Sequence, residues 1–241
     1  MDRALEHGRT GSPSPNPHVG AVVVKNGELV GAAHHERAGE DHAEVAALKA
    51  AGKKAEGGSL YVTLEPCNHV GRTPPCTEAI LASKVKRVVI GVRDPNPHVT
   101  GGGIDRLRQA GIEVVEGVRN DKAAELIAPW TKFVTLGLPY VTLKLALSLD
   151  GRIASRTGSS KWVTCGEARQ RVHALRARHD AVGAETEGER ELALGGIAGA
   201  AVNRLPLGAA GAGQPNDRAE RLNDTRFSLR DRQQIRQAAR R

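Results

Sequence analysis

Residues 42–67 read HAEVAALKAAGKKAEGGSLYVTLEPC. From His42 to Ala51 the pattern is that of a helix, and Gly52 ends it. Ser59 to Leu64 then reads as a strand, and Pro66 opens a loop. Helix followed by strand is a layered α/β pattern, and the flanking sequence repeats it. Upstream, Met1 to Thr10 is a short helix candidate, and Gly11 to Pro17 breaks regular structure with its prolines. Val19 to Lys25 is a Val-rich strand, Asn26-Gly27 a two-residue hairpin signal, and Glu28 to Ala33 the returning strand. Downstream, helices are expected at Cys76 to Ser83, Ile104 to Ala110 and Asp121 to Leu136. Strands are expected at Arg87 to Val92 and Ile112 to Val118. Such alternation predicts a mostly parallel sheet with helices packed on it, the opening hairpin adding an antiparallel strand.

The chain has 241 residues, enough to bury a core, in one large domain or two small ones. The apolar fraction is 39% but aromatics are only 2%, so that core is aliphatic. The net charge of +8 suits nucleic acid, a membrane surface or a phosphorylated metabolite. Single-stranded nucleic acid is gripped by stacking as well as charge, and few aromatics are available for it. Three cysteines, Cys67, Cys76 and Cys165, argue against a disulfide-built secreted scaffold. The polar start has no signal-peptide run, and no apolar stretch approaches membrane-spanning length. A soluble cytoplasmic protein with no membrane partner is therefore expected.

His42, Glu44, Cys67 and Cys76 carry the chemistry. Zinc favours imidazole nitrogen and thiolate sulfur in a tetrahedron, and a catalytic zinc takes three protein ligands and leaves one position for water. One His and two Cys meet that count. Glu44 is then placed to shuttle the proton of a zinc-activated water. His-x-Glu with Pro-Cys-x-x-Cys is the signature of zinc deaminases. Here the two cysteines are separated by Asn68 to Pro75 instead of two residues. Positions i and i+2 do not share a helix stripe, so His42 and Glu44 can flank one metal only at the helix start. A second helix start at Cys76 is expected to aim at the same point. A closed structural site is the alternative, with His69 as a fourth ligand.

Several stretches resemble the bifunctional riboflavin-biosynthesis deaminase/reductase family. They are Pro15 to Gly20, His42 to Val45, Thr63 to Cys67, Gly71 to Cys76 and Asp94 to Pro97. The long cysteine gap belongs to that family. The resemblance implies a cytidine-deaminase-like three-layer domain over residues 1–138. It implies deamination of a diaminopyrimidinone bearing a ribosylamino 5′-phosphate. His42, Cys67 and Cys76 would be zinc ligands and Glu44 the proton shuttle. Asn16 would contact the pyrimidine, and His69 and Arg72 the ribose phosphate, where a cationic side chain in a polar loop suits an anion.

Residues 139–183 resemble the start of the family's reductase, an incomplete dihydrofolate-reductase-like α/β segment. The matching stretches are Lys144 to Gly151, Ser160-Lys161-Trp162 and Leu175-Arg176. Trp162 and Ala146 would touch NADPH, and Ser160 and Arg176 the substrate. A strand over Tyr140 to Leu147, a helix over Glu167 to Arg178 and a strand beginning at His179 to Val182 are expected. The resemblance stops there. Residues 184–241 form a Gly-, Ala- and Arg-rich tail with too few large apolar residues for a core, and disorder is expected, with a helix at Asp231 to Arg240 as the one candidate element. Some forty residues cannot build a reductase core, so loss of NADPH-dependent reduction is expected. A tRNA adenosine deaminase and a non-catalytic zinc-domain remnant are the competing readings. Homo-oligomer formation is left open.

Overall fold

The computed structural model describes residues 1–71, 73–97 and 102–182. The chain divides into two compact units, Met1–Leu145 and Ala146–Arg241. In the first, helix α1 (Asp2–Gly8) precedes the hairpin of β1 (Gly20–Lys25) and β2 (Glu28–His34). Helix α2 (Ala43–Ala51) and a 3-10 turn (Gly52–Ala55) lead to β3 (Ser59–Leu64). Helix α3 (Cys76–Ala82), β4 (Arg87–Val92), α4 (Gly103–Gln109), β5 (Glu113–Val115) and α5 (Asn120–Leu136) follow.

The hairpin forms as the Asn-Gly pair dictates. Asn26 (φ 53°) and Gly27 (φ 83°) both take the left-handed conformation of a type I′ turn, and Lys25 pairs with Glu28 across it. The strands line up as β2-β1-β3-β4-β5. β1 runs antiparallel to both β2 and β3, while β3-β4 and β4-β5 are parallel. The sheet is therefore mixed rather than mostly parallel, because β1 is flanked on both sides by strands of opposite direction. β5 is shorter than the run Ile112 to Val118 suggested, and Val118 instead donates its N–H to Ile90 O (3.2 Å) outside the strand.

Helices cover both faces, giving three layers. Gly20 faces α1, where an added Cβ would lie 1.9 Å from Ala4 O. Gly31, paired with Val23 on the other face of the alternation, sits against α2. Gly91 lies against Ala123 of α5. The core between is aliphatic, with Leu60, Val62, Ile80, Ile90, Leu107 and Ile127 fully buried. Strand directions fix the position of the site. β2, β3 and β4 point the same way, so their C-terminal ends share one sheet edge with the N-terminal end of β1. Residues just before β1 and just after β2, β3 and β4 meet there, as ligand-binding segments do in open α/β sheets.

Beyond α5 the expected strand over Tyr140 to Leu147 is not formed. A strand needs a neighbouring strand to take its N–H and C=O groups, and residues 140–147 are coil. Leu143 is 79% exposed and Leu145 58%. His179 to Val182 is likewise turn and coil rather than strand. Helix α6 (Gly166–Arg176) does form. The tail 184–241, with the helix expected at Asp231 to Arg240, lies outside the described residues. No described helix is long and apolar enough to cross a membrane.

Packing at Gly31 seats α2, whose first turn carries the site. A Cβ there would lie 2.4 Å from Ala47 O and 2.8 Å from the Ala51 Cβ. Gly31→Ala is therefore expected to destabilise the fold by about 1–3 kcal/mol. Urea denaturation checks this, and an unchanged midpoint would show that α2 moves aside freely.

Candidate metal centre

His42 is the N-cap of α2, with extended backbone (φ −68°, ψ 157°), and Ala46 N–H bonds its carbonyl. That geometry leaves its ring at the helix start rather than along a stripe, with Glu44 in the first turn. Cys67 lies three residues past the end of β3, and Cys76 opens α3 behind Pro75. Both helices therefore begin at one point. Proline ahead of the first turn costs that helix no hydrogen bond, because the first N–H groups have no intrahelical acceptor.

The three side chains converge. His42 Nδ1 lies 3.1 Å from Cys76 Sγ and 3.6 Å from Cys67 Sγ. All three donor atoms fall within 4.8 Å of one another. A zinc tetrahedron with bonds of about 2.0–2.3 Å has edges of roughly 3.5–3.8 Å; the 3.6 Å separation matches such an edge and the 3.1 Å one is somewhat shorter, so the donor set suits that ion in chemistry and lies near it in size. The three groups share their protons unevenly. Cys67 is lowered to about 4, chiefly by accepting a hydrogen bond from the Cys76 thiol, and also from His42. Cys76 is raised by donating to Cys67 and by burial. His42 is raised by its hydrogen bond to Cys67. Imidazole and thiol donors at this spacing suit a dication, whose binding would release the protons they still hold. His69 is exposed and is not among the donor atoms brought together, so the described residues supply three ligands.

Glu44 is 4% exposed, and burial pushes its carboxyl up to about 7. The nearby His42 charge works against that rise. A carboxyl titrating near neutrality beside a three-donor site can both accept and release a proton.

Further residues surround this centre. Asn16 Nδ2 donates to His35 Nε2 at 2.9 Å, and His35 Nδ1 donates to Asp41 O at 3.0 Å. That pair of bonds requires the neutral ring, and burial lowers the His35 pKa accordingly. His35 also packs edge-on against His42, with ring centroids 5.2 Å apart. Glu65 N–H donates to Val92 O (2.9 Å), while its carboxylate accepts Asp94 N–H (3.2 Å) and Ile104 N–H (3.3 Å). It thereby ties the ends of β3 and β4 to the start of α4, next to Cys67. Asp94 is raised by burial, with Glu65, His69 and Cys67 facing it. The sequence alone did not single out His35, Glu65 or Asp94 individually. The signal for each is position: a polar residue one or two places after a strand at the edge where the ligands gather.

Arg72 lies outside the described residues. Ser160 is exposed in coil and Trp162 in a turn, Arg176 ends α6 exposed, and Ala146 is half-buried in coil. The Arg169 guanidinium sits 4.2 Å from the Trp162 ring centre. Among the described residues no hydrogen bond or ion pair joins these four.

The cytidine and deoxycytidylate deaminase zinc-binding region matches residues 1–92, and the RibD C-terminal domain matches residues 139–186. Riboflavin biosynthesis protein RibD of Aquifex aeolicus is 54% identical over 179 residues, 74% of this chain and 50% of that protein. Its Escherichia coli counterpart is 51% identical over 184 residues, 76% and 50% of the two chains. The structure of Acinetobacter baumannii RibD superposes with a TM-score of 0.68 at 50% identity, covering 75% of this chain and 51% of that one. A Thermotoga maritima diaminohydroxyphosphoribosylaminopyrimidine deaminase/5-amino-6-(5-phosphoribosylamino)uracil reductase gives 0.70 at 46% identity, covering 75% and 52%. The chain spans about half the length of the relatives it matches. A His/Cys/Cys site thus sits at the shared sheet edge of a cytidine-deaminase-like fold, and along three quarters of its length the chain is similar to RibD proteins of riboflavin biosynthesis.

Proposed function

We propose that this chain is a zinc-dependent deaminase acting on 2,5-diamino-6-ribosylamino-4(3H)-pyrimidinone 5′-phosphate. The observation that carries the reading is Glu44, a buried carboxyl titrating near 7 beside the three converging donors His42, Cys67 and Cys76. A purely structural zinc site has no use for a buried acid at its edge, and it takes four protein ligands. Bound at these residues, zinc would supply a hydroxide nucleophile at neutral pH. Glu44 takes the proton from water as its oxygen adds to the amidine carbon. It passes that proton to the adjacent ring nitrogen and then assists the amino group to leave as ammonia. Asn16, held by its bond to His35, would read the pyrimidine edge. His69 and Arg72 in the inserted loop would meet the 5′-phosphate. The Asn68 to Pro75 insertion and the identity to RibD proteins favour this substrate over a nucleic acid.

Glu44→Gln is expected to keep about one zinc per chain and to lose ammonia release by a factor of about 10³. Metal analysis and an ammonia assay on the diaminopyrimidinone phosphate measure both. Zinc bound without any ammonia release by the wild type would reject the catalytic reading.

The reductase step is read differently. The described part of 139–182 holds one helix and no strand, and Leu143 and Leu147 of the expected first strand are exposed. Nicotinamide cofactors are held across a sheet, so this chain is proposed not to bind NADPH. Fluorescence titration is expected to show no saturable signal, and micromolar saturable binding would reverse the conclusion.

A further inference from the structure

The two cysteines must be held together across an eight-residue intervening stretch, and the neck of that loop is bonded three times. Cys76 N–H donates to Cys67 Sγ at 3.3 Å. Thr77 N–H donates to Cys67 O at 3.2 Å. Thr77 Oγ1 donates to Asn68 Oδ1 at 2.9 Å. These bonds join the residues at and immediately after each cysteine. The first two use backbone donors that any sequence would offer. The third depends on side chains. Thr77 is fully buried, so its hydroxyl needs a protein partner, whereas Asn68 is exposed.

We infer that Asn68 and Thr77 form a clasp that sets the spacing of the Cys67 and Cys76 thiolates. Both are positioning residues for the metal centre rather than catalytic ones, and the inference rests on that centre being one. A flexible loop of this length spreads its end-to-end distances, and closing it costs entropy each time the metal is taken up. The clasp meets that cost in the folded protein before metal arrives, which is preorganisation of the ligand set. It also separates two duties. The neck holds the thiolates, while the loop beyond it, with His69 and Arg72, is left to meet the substrate. Tight substrate contacts in the loop then need not disturb the sulfur positions.

The full chain, stripped of metal, is titrated with cobalt(II) against a competing chelator, and the visible cobalt absorption is recorded. Thr77→Val keeps the side-chain shape and removes the donor. It leaves Asn68 Oδ1 open to solvent, so the melting temperature of the metal-free protein should move little. Its cobalt dissociation constant should rise about tenfold, the lower end of what outer-sphere partners of metal ligands contribute. Thr77→Ser should restore wild-type affinity. Asn68→Ala, an exposed change that keeps the test alive if Thr77→Val fails to fold, should give a similar loss. The double variant should lose no more than either single one. Wild-type affinity and spectrum in both single variants, or losses that add in the double variant, would overturn the clasp. Failure of the wild type itself to take up cobalt would instead overturn the metal centre, and the clasp with it.

Discussion

The meeting of His42, Cys67 and Cys76 within 4.8 Å is the constraint on which the rest of the architecture turns. These residues come from two helix starts and one strand end, separated in sequence by loops of different length. They can meet only if β2 and β3 finish at the same edge of the sheet, and that requires β1 to run against both. The type I′ turn at Asn26-Gly27 reverses the chain between β1 and β2. The α2 crossover then returns it so that β3 runs back against β1.

Electrostatics at that edge is cooperative. Cys76 and His42 acidify Cys67, and Cys67 in turn raises both of them, so the three ionisations are linked rather than independent. Glu44 is buried against this cluster and rises toward neutrality. A carboxyl in water, with its pKa of about 4, would be a weak base at neutral pH and would accept the proton of a water poorly. Burial under the first turn of α2 makes it usable in both directions. His35 extends the order outward, since its neutral ring links Asn16 to the Asp41 carbonyl beside His42.

Residues 139–182 show how local pattern and strand formation can part. Tyr140 to Leu147 has the alternation of a half-buried strand, yet no described strand lies beside it. Pattern supplies a preference; hydrogen-bond partners supply the strand. Helix α6 forms in the same region because its backbone bonds are internal to it.

From sequence alone, the periodicity of each segment, the Asn-Gly hairpin, the helix stops at glycine and the His-x-Glu with its two cysteines were legible. Each is a local property, set by backbone sterics and by ligand chemistry. The resemblance to a riboflavin-biosynthesis deaminase was legible for the same reason, being carried by short runs. Sequence could not give the balance of parallel and antiparallel pairing, because that depends on which strand ends up beside which. Nor could it single out His35, Glu65 or Thr77. A histidine, a glutamate and a threonine acquire their roles only when the fold brings Asn16, the Asp94 amide and Asn68 to them. Only the tertiary structure decided those contacts, since each joins segments whose closeness is set by the packing of the whole sheet and its helices.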